Sequence, residues 1–145
     1  MMKRRQFILG LIAAAVLLPL RALAAVWNKA AFEAVKLDDA RTGLAIKGEI
    51  VSTDIQVTAP DVAENGAIVQ VEIRSNIPNT EAMTILVEKN PTPLIGHYQF
   101  SNGAEPFIVT RIKMAETSDI RVVAKVGNQY YTNAKSVEVL ENGCG

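Results

Sequence analysis

The sequence predicts a mainly β protein. Its body reads as an antiparallel β-sandwich, with a short helical region before it and a flexible C-terminal arm after it. Three observations carry this. Beyond residue 50, apolar residues recur at every second position, the period of a strand with one dry face. Turn signals punctuate the same stretch: Asn65-Gly66, Asn90-Pro91-Thr92-Pro93, Ser101-Asn102-Gly103 and Gly127-Asn128. After residue 48 there is little sign of helix. Seven or eight short strands at such spacing fit a sandwich.

The chain opens with a targeting segment, residues 1–24. Lys3-Arg4-Arg5 is a positive n-region, and Phe7 to Leu20 is mostly apolar. Ala22-Leu23-Ala24 places small residues where a signal peptidase reads, so cleavage is expected after Ala24. The apolar stretch holds Gly10 and Pro19 and is short for a retained membrane anchor. Arg4-Arg5-Gln6-Phe7-Ile8 has the look of a twin-arginine signal, whose pathway carries folded proteins. A periplasmic location follows, with no membrane contact after cleavage.

Next comes the helical region. Asn28 is placed to cap a short helix on which Ala31, Phe32 and Val35 share a face. Asp38 to Ile46 reads as a second helical piece, with Gly48 near its end. The strands follow. Ile55 to Thr58 is the first. Ala67, Val69, Val71 and Ile73 then form a dry face against Ile68, Gln70, Glu72 and Arg74. Asn65-Gly66 before it is a strong turn signal. Met83 to Glu88 is a strand closed by two prolines, which cannot continue a central strand. Ile95 to Phe100 is the next. Phe107 to Met114 puts Ile108, Thr110, Ile112 and Met114 on one side and Phe107, Val109, Arg111 and Lys113 on the other. Ile120 to Val126 and Gln129 to Thr132 read as a hairpin. Ser136 to Leu140 runs directly into the arm, residues 141–145, leaving a single domain over 25–140.

The signal segment holds four of the 15 basic residues (Lys3, Arg4, Arg5, Arg21) and none of the 15 acidic ones, so the mature chain carries four excess negative charges. Nucleic acid, which calls for a basic stripe, is a poor partner for it. One histidine and one cysteine do not make a soft-metal site, so no metal and no cofactor are expected. His97 reads as a surface or partner-facing side chain. A Cys144–His97 nucleophile pair is conceivable. Catalysis needs preorganised geometry, however, and a terminal arm is the wrong mount for it. The chain is not expected to be an enzyme by itself.

Cys144 is the only cysteine and the second-to-last residue. Core packing does not explain that position. Gly143 and Gly145 flank it, and glycine leaves the thiol mobile and thinly surrounded. Five extended residues reach roughly 16 Å. No basic residue lies in the last ten, while Glu141 and the terminal carboxylate are near, and like charges disfavour the thiolate. A thiol that is quiet in solution and reactive inside a partner is what a carrier needs.

At this point the residues match a known family. Ala59-Pro60-Asp61-Val62-Ala63-Glu64-Asn65-Gly66-Ala67, Glu88-Lys89-Asn90-Pro91-Thr92-Pro93-Leu94, Thr110-Arg111-Ile112-Lys113-Met114 and the terminal Gly143-Cys144-Gly145 resemble SoxY, the sulfur-carrying subunit of bacterial thiosulfate oxidation. The resemblance implies an immunoglobulin-like sandwich and a heterodimer with a SoxZ-type subunit. It implies covalent S–S attachment of sulfur intermediates at Cys144. It further implies a haem-containing enzyme that conjugates thiosulfate to the thiol, a metal-dependent hydrolase that releases sulfate, and other Sox enzymes. The family tail is Gly-Gly-Cys-Gly-Gly. Here Asn142 replaces the first glycine and the last is missing. Asn142 tolerates left-handed backbone, so Asn142, Gly143 and Gly145 are expected to serve as the arm hinge.

Two readings of other classes stand beside the carrier. One is a periplasmic binding or scaffolding module whose cysteine is incidental or forms intermolecular disulfides. The other is a thiol oxidoreductase, which lacks a second cysteine to resolve a mixed disulfide.

Overall fold

The computed structural model describes residues 27–142. Two helices come first, α1 (Lys29–Phe32) and α2 (Leu37–Gly43). Nine strands follow: β1 (Ile50–Val51), β2 (Ile55–Thr58), β3 (Val62–Asn65), β4 (Val69–Ser75), β5 (Ala82–Val87), β6 (Leu94–Gln99), β7 (Phe107–Ile112), β8 (Ser118–Val126) and β9 (Gln129–Glu141). One sheet runs β1-β9-β8-β5-β6, with β3 also on β9, and the other runs β2-β4-β7. This is the expected sandwich. The expected signal segment, 1–24, lies outside the described residues.

The faces of β4 and β7 are those their alternation predicts. Val69, Val71 and Ile73 are buried on β4, and Ile108 and Ile112 on β7. They meet Met83, Ile85, Ile120, Val122 and Val137 of the larger sheet in the main core. Strand β5 differs, because every one of its residues is buried. Its second face lies under the helices, where Leu86, Leu94 and Val123 pack with Ala31, Ala34, Ala40 and Ile46. The helices therefore form a third layer on the outer face of the larger sheet.

Local chemistry fixes that layer. Asn28 caps α1 as expected, accepting a hydrogen bond from Ala31 N at 3.1 Å. It also donates to Gly43 O at 2.7 Å, which ties the two helices together. A Cβ on Gly43 would stand 2.9 Å from Ala31 Cβ, so this crossing requires glycine. The expected face of Ala31, Phe32 and Val35 is not formed. α1 ends at Phe32, Val35 turns to solvent, and Ala34 is buried instead. The second helix stops at Gly43 and not at Ile46. Ala45 N donates to Thr42 O and Ile46 N to Arg41 O, the paired bonds of a Schellman end, with Ala45 at φ +56°. Arg41 also grips the nearly buried Glu49 carboxylate as the chain approaches β1.

Pairing within the sheets is mainly antiparallel. The exceptions are β1 and β3, which both run parallel to β9 and share its outer edge. Neither short strand shows in the sequence pattern. The expected turn at Asn65-Gly66 is formed, and it joins two sheets: β3 lies on β9, and β4 pairs with β2 and β7. The two segments read separately at 129–132 and 136–140 are one strand, β9, paired with β8 without a break from Gln129 to Val137. Asn133, which falls between them, donates to Ile55 O of β2 at 2.7 Å.

Candidate functional site: the root of the C-terminal arm

Strand β9 leads toward the expected arm, and it extends one residue further than expected, to Glu141. Asn142 is exposed and lies beyond the strand. Gly143, Cys144 and Gly145 lie outside the described residues, as do Arg4 and Arg5. The root of the arm can therefore be built atom by atom, up to Asn142.

Three elements converge on it. β3 pairs with β9 through Val62↔Glu138, Ala63↔Val139 and Asn65↔Glu141. Lys135 of β9 binds the Asp61 carboxylate just before β3, and this holds Asp61 below the usual carboxylate range. Thr117 Oγ1 accepts from Val139 N at 2.9 Å. Gly66 is the last contact. Its N–H donates to Glu141 O at 2.9 Å, and its own carbonyl accepts from Met114 N at 2.7 Å. Asn65 Oδ1 accepts from Ala67 N at 2.7 Å and closes the turn that presents Gly66.

The Asn90-Pro91-Thr92-Pro93 turn belongs to the same end. Asn90 is buried, donates to Lys113 O at 2.7 Å and accepts from Ala115 N at 2.8 Å. Its side chain thus satisfies two backbone groups on either side of Met114, which in turn holds Gly66. A line of hydrogen bonds runs from the proline turn to the arm. The sequence marked Asn65-Gly66 and Asn90 as turn residues, but no signal in it says which distant backbone groups they serve.

His97 is elsewhere. It faces Thr84 across the β5–β6 ladder, in a row that continues through Val123 to Thr132 of β9. Nine residues separate Thr132 from Glu141, about 30 Å of strand. The three residues from Glu141 to Cys144 span roughly 10 Å at most. That reach falls well short of the separation, so distance argues against a Cys144–His97 nucleophile pair. His97, expected to be a surface or partner-facing side chain, is half-buried, and burial holds its imidazole below the ordinary histidine value. It lines a groove of about 1020 Å³ with Trp27, Phe32, Tyr98, Phe100, Phe107 and Val109. The groove opens between β6 and β7, each paired on one side only among the described residues. Trp27 stacks on Phe32 at its mouth, with ring centroids 4.3 Å apart.

Among the described residues no three histidine, cysteine or carboxylate side chains gather as a metal site. No helix among them is long and apolar enough to cross a membrane.

The fold and the pinned strand define a class: a small β-sandwich protein whose strand β9 is fixed by hydrogen bonds as far as Glu141. Comparison with known proteins specifies it. The family described as "Sulfur oxidation protein SoxY" matches residues 44–144, a span that includes Cys144. The chain belongs to that family. It is 33% identical to the sulfur carrier protein SoxY from Chlorobium limicola f thiosulfatophilum, with a TM-score of 0.65 over 72% of this chain and 96% of that one. A lytic polysaccharide monooxygenase from Jonesia denitrificans is 13% identical, with a TM-score of 0.37 over 63% of this chain and 58% of that one, a likeness too slight to bear on fold or function. No curated protein sequence matches the chain.

Proposed function

We propose that this protein is a periplasmic carrier that holds sulfur intermediates covalently on Cys144 during thiosulfate oxidation and presents them to separate enzymes. One observation carries the reading: within a family of sulfur oxidation proteins, β9 is fixed by β3 and Gly66 up to Glu141, and the sole cysteine follows three residues later. A rigid root with a short tether beyond it suits a group that must enter another protein's site.

The chemistry balances as follows. Thiol and thiosulfate join to give Cys–S–S–SO₃⁻, releasing one proton and two electrons to a haem-containing conjugating enzyme. Water then cleaves the S–SO₃ bond in a metal-dependent hydrolase, leaving Cys–S–S⁻, sulfate and two protons. Neither step asks for a catalytic group on this chain. A SoxZ-type subunit is the partner that the family implies. Exposed Trp27, Phe107 and Val109 around the open groove support the presence of some protein partner. The export signal at Arg4-Arg5 supports the periplasm.

Intact mass of protein purified from thiosulfate-grown cells tests the reading. Sulfur and sulfonate adducts on Cys144 are expected. A population of unmodified chains or of disulfide dimers alone would replace the carrier with a scaffolding module.

A further inference from the structure

We propose that Gly66 is a positioning residue for the arm: the hydrogen bond from its N–H holds β9 in place as far as Glu141 and so sets the point from which Cys144 must reach. The proposal rests on the carrier reading above.

The geometry is a relay between backbones. Asn90 holds both sides of Met114, Met114 N holds Gly66 O, and Gly66 N holds Glu141 O. Gly66 itself is buried, so water does not readily replace these bonds. Asn65↔Glu141 is the last rung of the β3–β9 ladder among the described residues, and three residues, roughly 10 Å at full extension, remain to Cys144. Tethers respond unequally to length. One that barely spans its site loses almost all effective concentration when shortened, and little when lengthened. With so few residues to spare, the identity of the last fixed residue decides whether the thiol arrives. Asn90 adds a second consequence: the proline turn and the arm root move as one body, so a partner that seats on that turn finds the arm at a constant offset.

The test is a rescue. Deletion of Asn142 shortens the arm and is expected to slow thiosulfate-dependent loading of Cys144 by the conjugating enzyme at least roughly tenfold. Gly66→Pro in that background removes the N–H and lets the end of β9 peel away, which returns length to the arm. Loading is expected to recover to within about threefold of wild type, with the free-thiol count unchanged throughout. A merely structural Gly66 would leave the double variant no better than the deletion. That result in a folded double variant, or wild-type loading by the deletion alone, overturns the proposal. Should the proline variant fail to fold, amide exchange on the unaltered protein decides: Gly66 and Met114 are expected to be protected together while Asn142 exchanges freely, and a Gly66 amide as fast as that of Asn142 overturns the proposal. If unaltered protein acquires no sulfur at all, the carrier reading falls, while the exchange pattern still reports whether the root is pinned.

Discussion

Thr84 Oγ1 lies 2.9 Å from His97 Nδ1, directly across the ladder between β5 and β6. Thr84 is buried, and His97 is half-buried at the groove. A neutral imidazole nitrogen can accept the hydroxyl proton, whereas an imidazolium cannot. Burial already lowers the folded-state value, so the unfolded chain binds the proton more readily. Stability from this group is present above the unfolded histidine value, near pH ~6.5, and is lost as pH falls toward the folded value. Melting temperature should therefore drop below about pH 6.5, with a steeper fall in wild type than in His97→Gln. Equal slopes for the two proteins would rule out His97 as the cause.

Ala45 occupies a left-handed conformation that usually belongs to glycine at a helix end. An L-residue there bears roughly 1–2 kcal/mol of steric strain. Glycine would relieve it and lose part of the gain to a more flexible unfolded chain. Ala45→Gly should stabilise the protein by about 0.5–1 kcal/mol. Urea denaturation measures this, and a destabilised variant would refute the strain argument.

Asn90→Ala removes two hydrogen bonds at once and leaves Lys113 O and Ala115 N without those partners. The expected cost is about 2–4 kcal/mol. The denaturation midpoint should fall with little change in slope, because the core between the sheets is untouched.

Cys144→Ser should abolish sulfur adducts in the intact-mass assay, since a hydroxyl cannot form an S–S bond. Its thermal melt should match wild type to within about 0.5 kcal/mol. Gly143→Val should keep a titratable thiol yet load slowly, because a β-branched residue stiffens and widens the arm beside the thiol. Loading of the valine variant at the wild-type rate would make slenderness irrelevant.

Replacing both Arg4 and Arg5 by lysine should keep the protein out of the periplasm if the twin-arginine route carries it. Fractionation and immunoblotting read the outcome. Normal periplasmic accumulation of the double variant would refute the proposed route.

How much of this is legible in the sequence depends on where each residue finds its partner. β4 and β7 are legible because each has one dry face and one wet one, and alternation records that directly. The double burial of β5 is not, since its second face is covered by α1 and α2, some forty residues earlier. β3 leaves almost no trace: four residues with one buried, Ala63, paired in parallel with a strand more than seventy residues away. The arm is an expectation from the glycines and the lone cysteine, which lie outside the described residues. Its root is not legible in the sequence, because a backbone N–H such as that of Gly66 carries no side-chain signature.

β9 pairs with three other strands of its sheet, β1, β3 and β8, and it is made after all of them. Two of those three, β1 and β3, were synthesised some seventy to eighty residues earlier and pair with nothing else among the described residues. A ribosome-bound chain that lacks β9 can assemble β2-β4-β7 and β8-β5-β6, but not the edge at which β1 and β3 join the larger sheet. Completion of the fold thus waits for β9, the strand that leads toward Cys144, and a chain cut short before β9 leaves β1 and β3 without the strand they pair with.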